Sequence, residues 1–277
     1  FRPEPGGVLV VRRGYRRYPS DLIDAERELV ERYVRAKPGP GRPRGLDLRE
    51  LLNALRSLNR TGCQGEYLPT GFPNQNSARR SVDKWTHDGT WERSNDVRRE
   101  QARLRLDRDP QPSGAIVDSR SVKTTEAGGE RGYDGGEKVT GRTRHILVDA
   151  CGPLRRVLAH AADLSGAEGA RLRVAATSGR VPRLKRLGGT GGDGNPNGAL
   201  AGWAAHPPGC AGEAVEKLAG QVGFEVLPRR WVVERTLAWL CRNRRLSEDC
   251  EHHPWCSEPQ GDIASISSLL RNLATAP

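Results

Sequence analysis

Two carboxylates in this chain stand where a carboxylate needs a chemical reason. Asp118 closes the apolar, β-branched run of "SGAIVDSRSV", residues 113 to 122, and Glu234 is the one acidic residue in the arginine-rich helical run "RRWVVERTLAWLCRNRRL", residues 229 to 246. Between them lies a glycine-rich turn, "RLGGTGGDG", residues 186 to 194. A carboxylate at a strand end, another on a facing helix and a turn after a later strand have the layout of a two-metal nuclease. Such carboxylates converge on two divalent cations, which activate a hydroxyl nucleophile and stabilise the leaving oxygen in an in-line attack on a phosphodiester. Hard oxygen donors are required because Mg²⁺ prefers them. The plainer alternative for Glu234 is a surface pair with Arg230 at i, i+4, worth a few tenths of a kcal/mol.

The elements that must position these groups follow from the pattern around them. "SGAIVDSRSV" predicts a strand ending at Asp118, and "RHILVDACGPLRRVLAHAAD" predicts two strands joined by a Cys-Gly-Pro turn. The intervening "TTEAGGERGYDGGEKVTGRTRH" reads as a mobile basic loop beside the Asp118 strand. "SGAEGARLRVAATSG" predicts a helix, "PRLKRLGG" a short strand, "AGEAVEKLAGQVG" a helix and "GFEVLPRR" a strand leading into the Glu234 helix. On that helix Val233, Leu237, Leu240 and Cys241 form an apolar stripe, with Arg230 and Arg245 near Glu234. "IASISSLLRNLATAP" predicts a C-terminal helix. Strands first and alternating helices after imply an α/β domain.

The first hundred residues read differently. "SDLIDAERELVERYVRA" predicts a short helix with Asp24 as N-cap and Arg27 at the capping-box position, followed by the basic linker "KPGPGRPRG". "LDLRELLNALRSLNRTG" aligns Leu48, Leu51, Leu52, Leu55 and Leu58 on one stripe and ends at Gly62 as a glycine-capped helix does. "NSARRSVDKWTHDG" predicts a further helix, capped by Asn76 or Ser77, with Val82 and Trp85 inward and Arg79, Arg80 and Lys84 outward. Together these make a helix-turn-helix-like unit or a plain helical bundle.

Composition narrows the partner. The chain has 277 residues, with 45 Lys and Arg against 34 Asp and Glu, a net charge of +11 and a pI near 9.8. Such a balance favours a polyanion through counterion release and steering, so nucleic acid is the leading partner class against a merely solvated surface. Six scattered cysteines indicate a reducing compartment, the cytosol, rather than a disulfide framework. The longest N-terminal apolar stretch, "VLVV", is far too short to span a bilayer, and no membrane association is expected. Residues 1 to 17 are expected to be poorly ordered. "CEHHPWC", residues 250 to 256, holds donors for zinc, but its spacing fits no common structural site. The glycine-rich turn lacks the lysine of a P-loop and the dinucleotide-binding pattern, which sets nucleotide binding aside.

At this point the motifs carry a family resemblance. "YPSDLIDAERELVERYV", "RTGCQGEYLPTGFPNQNSARRSVDKWTHDGTWERSND", "AIVDSRSVKTTEAGGERGYDGGEKVTGRTRHILVDACG", "HAAD" and "LPRRWVVERTLAWLCRNRRLSEDCE" together resemble the DDE transposases of bacterial insertion sequences, in the group that includes insertion sequence families four and five. The resemblance covers about residues 18 to 273. It implies a helical, helix-turn-helix-like DNA-binding region over residues 18 to 100 and a ribonuclease-H-like α/β catalytic domain over residues 110 to 273. It also implies an Asp-Asp-Glu triad with Mg²⁺ or Mn²⁺, DNA at transposon ends and at a target as the partner, the bacterial cytoplasm close to the nucleoid, and a homodimer as a candidate assembly. Carried over residue by residue, Asp118 in "IVDS" is the first aspartate and Glu234 in "RRWVVER" the glutamate, both metal ligands. Arg79, Arg80, Lys84, Arg230, Arg242 and Arg245 are the expected DNA contacts. Asp163 in "HAAD" matches a family feature and is expected to support the site.

The middle aspartate departs from the pattern. The family's turn aligns with Gly189, Thr190, Gly191, Gly192 and Asp193, so Thr190 holds the aspartate position and Asp193 follows three residues later. A hydroxyl substitutes poorly for a carboxylate, and a displacement of about 1 Å in catalytic geometry already costs on the order of a hundredfold. Asp193 is therefore the candidate third catalytic group, the expected copy is degenerate, and the alternative is a catalytically inactive DNA-binding remnant.

Overall fold

The computed structural model describes residues 17–34, 45–126, 129–164, 183–190, 211–215 and 230–275. Most of the N-terminal stretch expected to be poorly ordered, the helix expected over residues 165 to 179, the strand expected over residues 223 to 229, and Asp193 lie outside the described residues. The chain is mixed α/β, with helices first and a sheet after them.

Helix α1 spans Asp24–Val34 and α2 spans Leu48–Thr61. Asp24 is the first helical residue rather than the cap. The carboxylate that reaches back is Glu26, which accepts from the Ile23 amide at 3.4 Å, so only this half of a capping box forms, one residue earlier than the sequence pattern suggested, and Ile23 offers no capping side chain. In α2 the leucine stripe behaves as expected: Asp47 accepts from the Arg49 amide at 2.7 Å, and Gly62 closes the helix at φ 71°. Helix α3, Gln75–His87, is capped by Asn74, which accepts from the Asn76 amide at 2.9 Å, and not by Asn76 or Ser77.

Helix α4, Thr90–Leu104, escapes sequence patterning because its inward face is largely polar. Trp91 does join the core, edge-on to Trp85 with ring centroids 5.1 Å apart. Arg98, Arg99 and Arg103 are buried with it, and Arg103 donates to the fully buried Asp149 at 2.6 Å. A helix that replaces an apolar stripe by paired arginines gives no hydrophobic period to find.

The sheet contains β1 (Gly114–Lys123), β2 (Gly132–Asp134), β3 (Val139–Asp149), β4 (Leu154–Ala161), β5 (Arg186–Thr190) and β6 (Ala211–Val215). Across its width the order is β4, β3, β1, β5, β6, with β2 extending the β4 side of β3. β3 runs antiparallel to β1 and β4, whereas β1, β5 and β6 are parallel. The β3–β4 turn is the expected Cys151-Gly152-Pro153, with Gly152 at φ 110°. Two expectations are corrected. "AGEAV" is the strand β6 and not the start of a helix, because it completes a parallel ladder on β5 that its local sequence does not announce. The basic loop is largely structured: Arg142 and Arg144 lie in β3 and are buried, held by Asp249 at 3.1 and 3.3 Å.

At the open end of β1 the strands approach closely. A Cβ on Gly141 would collide with the Val122 carbonyl oxygen. Overpacking costs about 1–3 kcal/mol, so Gly141→Ala is expected to lower the thermal midpoint by several degrees. Gly135→Ala is the control, since a Cβ there meets nothing within 4 Å.

Helix α5 spans Arg230–Cys241, and α6 spans Pro254–Thr275, starting well before the "IASISS" stretch. Proline at the first helical position accounts for that start. Ile263, Ile266 and Leu270 of α6 join Leu22, Val30, Leu51, Leu55, Trp85 and Trp91 in one core, while Gly261 admits the close approach of Val157 on β4. The last helix therefore packs on both the first helices and the sheet.

Candidate active site

The site grows from the alternation of β1. Side chains two apart share a face, and Ile116 packs with Val232 and Val233 of α5. Further along the same face, Arg120 and Val122 line a small cavity with Leu237, Leu240 and Cys241. Arg120 also donates toward the Cys241 sulfur at 3.5 Å. Asp118, between Ile116 and Arg120, is thereby committed to the face that α5 covers. It is half-buried, and one of its oxygens accepts from the Ser119 amide at 3.0 Å.

Asp118 is not at the end of β1, as the sequence suggested, but in the middle of a ten-residue strand. What ends there is the parallel neighbour. β1 and β5 pair from Gly114 with Arg186 to Val117 with Gly189, so the next step of the register sets the backbone of Thr190 beside Asp118. β3 supports β1 on its other side through Lys123 opposite Gly141, which explains why the strand continues. Asp118 therefore lies at the carboxyl end of the parallel part of the sheet, where crevices open in α/β folds.

Helix α5 is fixed in rotation by both its faces. Val233, Leu237 and Leu240 pack on the sheet as the sequence stripe predicts. On another side the Thr236 hydroxyl donates to the Gly152 carbonyl at 2.7 Å, and Arg235 to the Cys151 carbonyl at 3.3 Å. Arg235 is gripped between Trp231 and Trp239, 4.5 and 4.6 Å from their centroids. Glu234 is two residues from Thr236, about 200° around the helix, so it faces away from the β3–β4 turn and is exposed.

The remaining sequence candidates scatter. Arg79, Arg80 and Lys84 are exposed on α3. Arg242 is exposed, whereas Arg245 is held within the protein, donating to Glu251 at 2.7 Å and to the Cys63 carbonyl at 3.2 Å. The side chain of Arg230 and the residue Asp193 lie outside the described residues. Asp163 is exposed and beside Gly132. It lies six residues past Val157, which the ladders place level with Asp118 two strands away, so roughly 20 Å of strand separates it from the site. It does not support Asp118 directly. Arg120 was missed, although period-2 alternation from Asp118 marks it. Among the described residues no group of three or more His, Cys, Asp or Glu could hold a metal ion. In "CEHHPWC" burial pushes the Cys256 thiol up to about 11, aided by the charges of Glu251 and Asp83, which disfavours the thiolate that zinc needs.

Two family models match the chain. A model described as a transposase of the IS4/5 family matches residues 22–95, and one described as a transposase DDE domain matches residues 109–186. The chain belongs to the DDE transposases of the IS4/5 group. The first match takes in helices α1 to α3 and the start of α4, and the second takes in β1, Asp118 and the start of β5. No curated protein and no solved structure matches it. Thr190 and Glu234 of this transposase thus fall beyond the matched DDE segment, and only the sheet register and the packing of α5 relate them to Asp118. The transposase has no helix, among its described residues, long and apolar enough to cross a membrane.

Proposed function

We propose that this transposase cleaves DNA at transposon ends in a Mg²⁺-dependent reaction and joins the freed 3′-hydroxyl to target DNA. The observation that carries the reading is the shared face of Asp118 and α5. Ile116 packs on Val232 and Val233, one residue before Glu234, so both carboxylates attach to one buried joint. The sheet order β4, β3, β1, β5, β6 with only β3 reversed supports a ribonuclease-H-like arrangement. We assign residues 110 to 273 to that catalytic unit and residues 18 to 100 to DNA binding.

Two carboxylates suit one Mg²⁺, which is commonly held by one or two acidic side chains together with substrate phosphates. Asp118 and Glu234 are the residues that would hold it. The ion, when bound, supplies positive charge against the phosphodiester oxygens. The chain's own part is positional. Asp118 is fixed by the sheet, Glu234 by the anchored rotation of α5, and the exposed Arg120 lies one step along the same face to pair with a phosphate. Arg79, Arg80, Lys84, Arg230 and Arg242 are the proposed contacts to DNA elsewhere, and Asp193 is the proposed third acidic group.

The second reading, a DNA-binding remnant without catalysis, is favoured by one observation: the next step of the β1–β5 register after Val117 and Gly189 brings the backbone of Thr190, in place of the expected aspartate, next to Asp118. Plasmid nicking in Mg²⁺ or Mn²⁺ separates the two. For an active enzyme, Glu234→Gln and Asp118→Asn are each expected to lower nicking by on the order of a hundredfold or more, with thermal midpoints unchanged. Nicking that survives both substitutions would remove these residues from the active site, and a parent without nicking but with specific end binding is the remnant.

A further inference from the structure

Among the described residues a buried guanidinium beside α4 makes no direct ion pair, although Asp96 and Asp149 attract it from further away. Arg155, in β4, is 2% exposed, and its Nε and Nη1 have no hydrogen-bond partner. It lines a cleft of about 600 Å³ between α4 and the edge of β4, together with Arg99, Arg156 and the exposed Arg93. The acidic groups nearby are already engaged. Asp96 accepts from Arg156 at 3.0 and 3.2 Å and pairs with Arg99 at 3.3 Å. Asp149 pairs with Arg103 at 2.6 Å through one oxygen and lies 3.9 Å from Arg99 with the other, Glu100 accepts from Gln111 at 2.7 Å, and Asp88 accepts from the Thr90 amide at 3.0 Å. Glu92 lies 3.7 Å from Arg156. Burial, with the like charge of Arg99, outweighs the attraction of Asp96 and Asp149 and pushes the Arg155 guanidinium down to about 10.

A guanidinium taken out of water without a partner is costly, and native structures keep such groups where something else completes them. Arg155 comes from an irregularity in the β3–β4 ladder, where the pairing slips between Leu147 and Val148 and leaves it without an opposite residue. A bulge re-aims its side chain in this way at the edge of a sheet. Arginine in a recessed, solvent-connected cleft matches the geometry of a tetrahedral oxyanion.

We propose that the α4–β4 cleft is a phosphate-binding site centred on Arg155, separate from the Asp118 and Glu234 face. Its lining includes His87, the last residue of α3, and Asp88 and Gly89 directly after it. A backbone phosphate of DNA lying on Arg79, Arg80 and Lys84 is one source of the ligand, and that assignment rests on the DNA-binding reading above. Free inorganic phosphate is the other.

The test uses the full chain. Thermal unfolding is followed in inorganic phosphate and in chloride at matched ionic strength, for the parent and for Arg155→Gln. The parent is expected to gain several degrees in phosphate. Arg155→Gln, freed of an unpaired charge, is expected to melt above the parent in chloride and to gain nothing from phosphate. A parent indifferent to phosphate, or a variant that gains as much as the parent, overturns the site. In a second arm, the salt dependence of DNA affinity distinguishes the sources. If DNA supplies the phosphate, Arg155→Gln lowers the slope of log K against log salt by about 0.9. An unchanged slope with phosphate stabilisation of the parent alone assigns the site to free phosphate. Absence of DNA binding would remove the DNA reading and leave the phosphate arm intact.

Discussion

Asp249→Ala is expected to destabilise the transposase by about 3–5 kcal/mol, because it leaves two buried arginines without their shared counter-ion. Asp249 is fully buried, 3.1 Å from Arg142 and 3.3 Å from Arg144, which are themselves 0% and 7% exposed. These arginines also hold the chain that follows α5. Arg142 donates to the carbonyls of Glu251 and His252 at 2.6 and 2.7 Å, and Arg144 donates to that of Leu246 at 2.6 Å. Two cations on adjacent same-face positions of β3 repel unless a charge lies between them, and burial already pushes the Arg144 guanidinium down despite Asp249. Urea unfolding gives the measurement. Asp249→Asn is expected to fall between the parent and alanine, since it keeps one acceptor but loses the charge. Equal stability of all three proteins would show that the backbone carbonyls suffice. Glu251→Ala, which breaks the half-buried pair with Arg245, is expected to cost much less.

Thr190→Asp is expected to raise Mg²⁺-dependent nicking by on the order of a hundredfold over the parent. The register puts residue 190 one step beyond the last β1–β5 pair, beside Asp118, so a carboxylate there restores the missing acidic group at the carboxyl end of the parallel strands. The substitution also predicts a second readout. Two neighbouring carboxylates on paired strands repel, so the variant should melt below the parent in a chelator and recover when Mg²⁺ is added, because only the folded protein holds the ion. A variant with neither gain in nicking nor Mg²⁺-dependent recovery would show that residue 190 is not at the metal. Adding Glu234→Gln to Thr190→Asp is expected to abolish the gain.

Much of this was legible in residue order because it depends on local periodicity. The leucine stripe of α2 with its Gly62 cap, the Cys151-Gly152-Pro153 turn, and the stripe of Val233, Leu237 and Leu240 under Glu234 are repeats of 3.6 or glycine positions that the backbone demands. The exposure of Arg79, Arg80 and Lys84 followed from the same wheel. Other features were not legible because their cause lies far along the chain. α4 is buried by paired arginines, β6 is a strand because β5 offers it an edge, and Arg142 and Arg144 are buried because Asp249 reaches them from more than a hundred residues away. The sequence by itself determined which residue types could do chemistry, Asp118 and Glu234 with a threonine where an aspartate is expected. Only the tertiary structure decided that Thr190 falls beside Asp118 and that Asp163 falls away from it, because strand register is a pairing between distant segments and no local pattern specifies it.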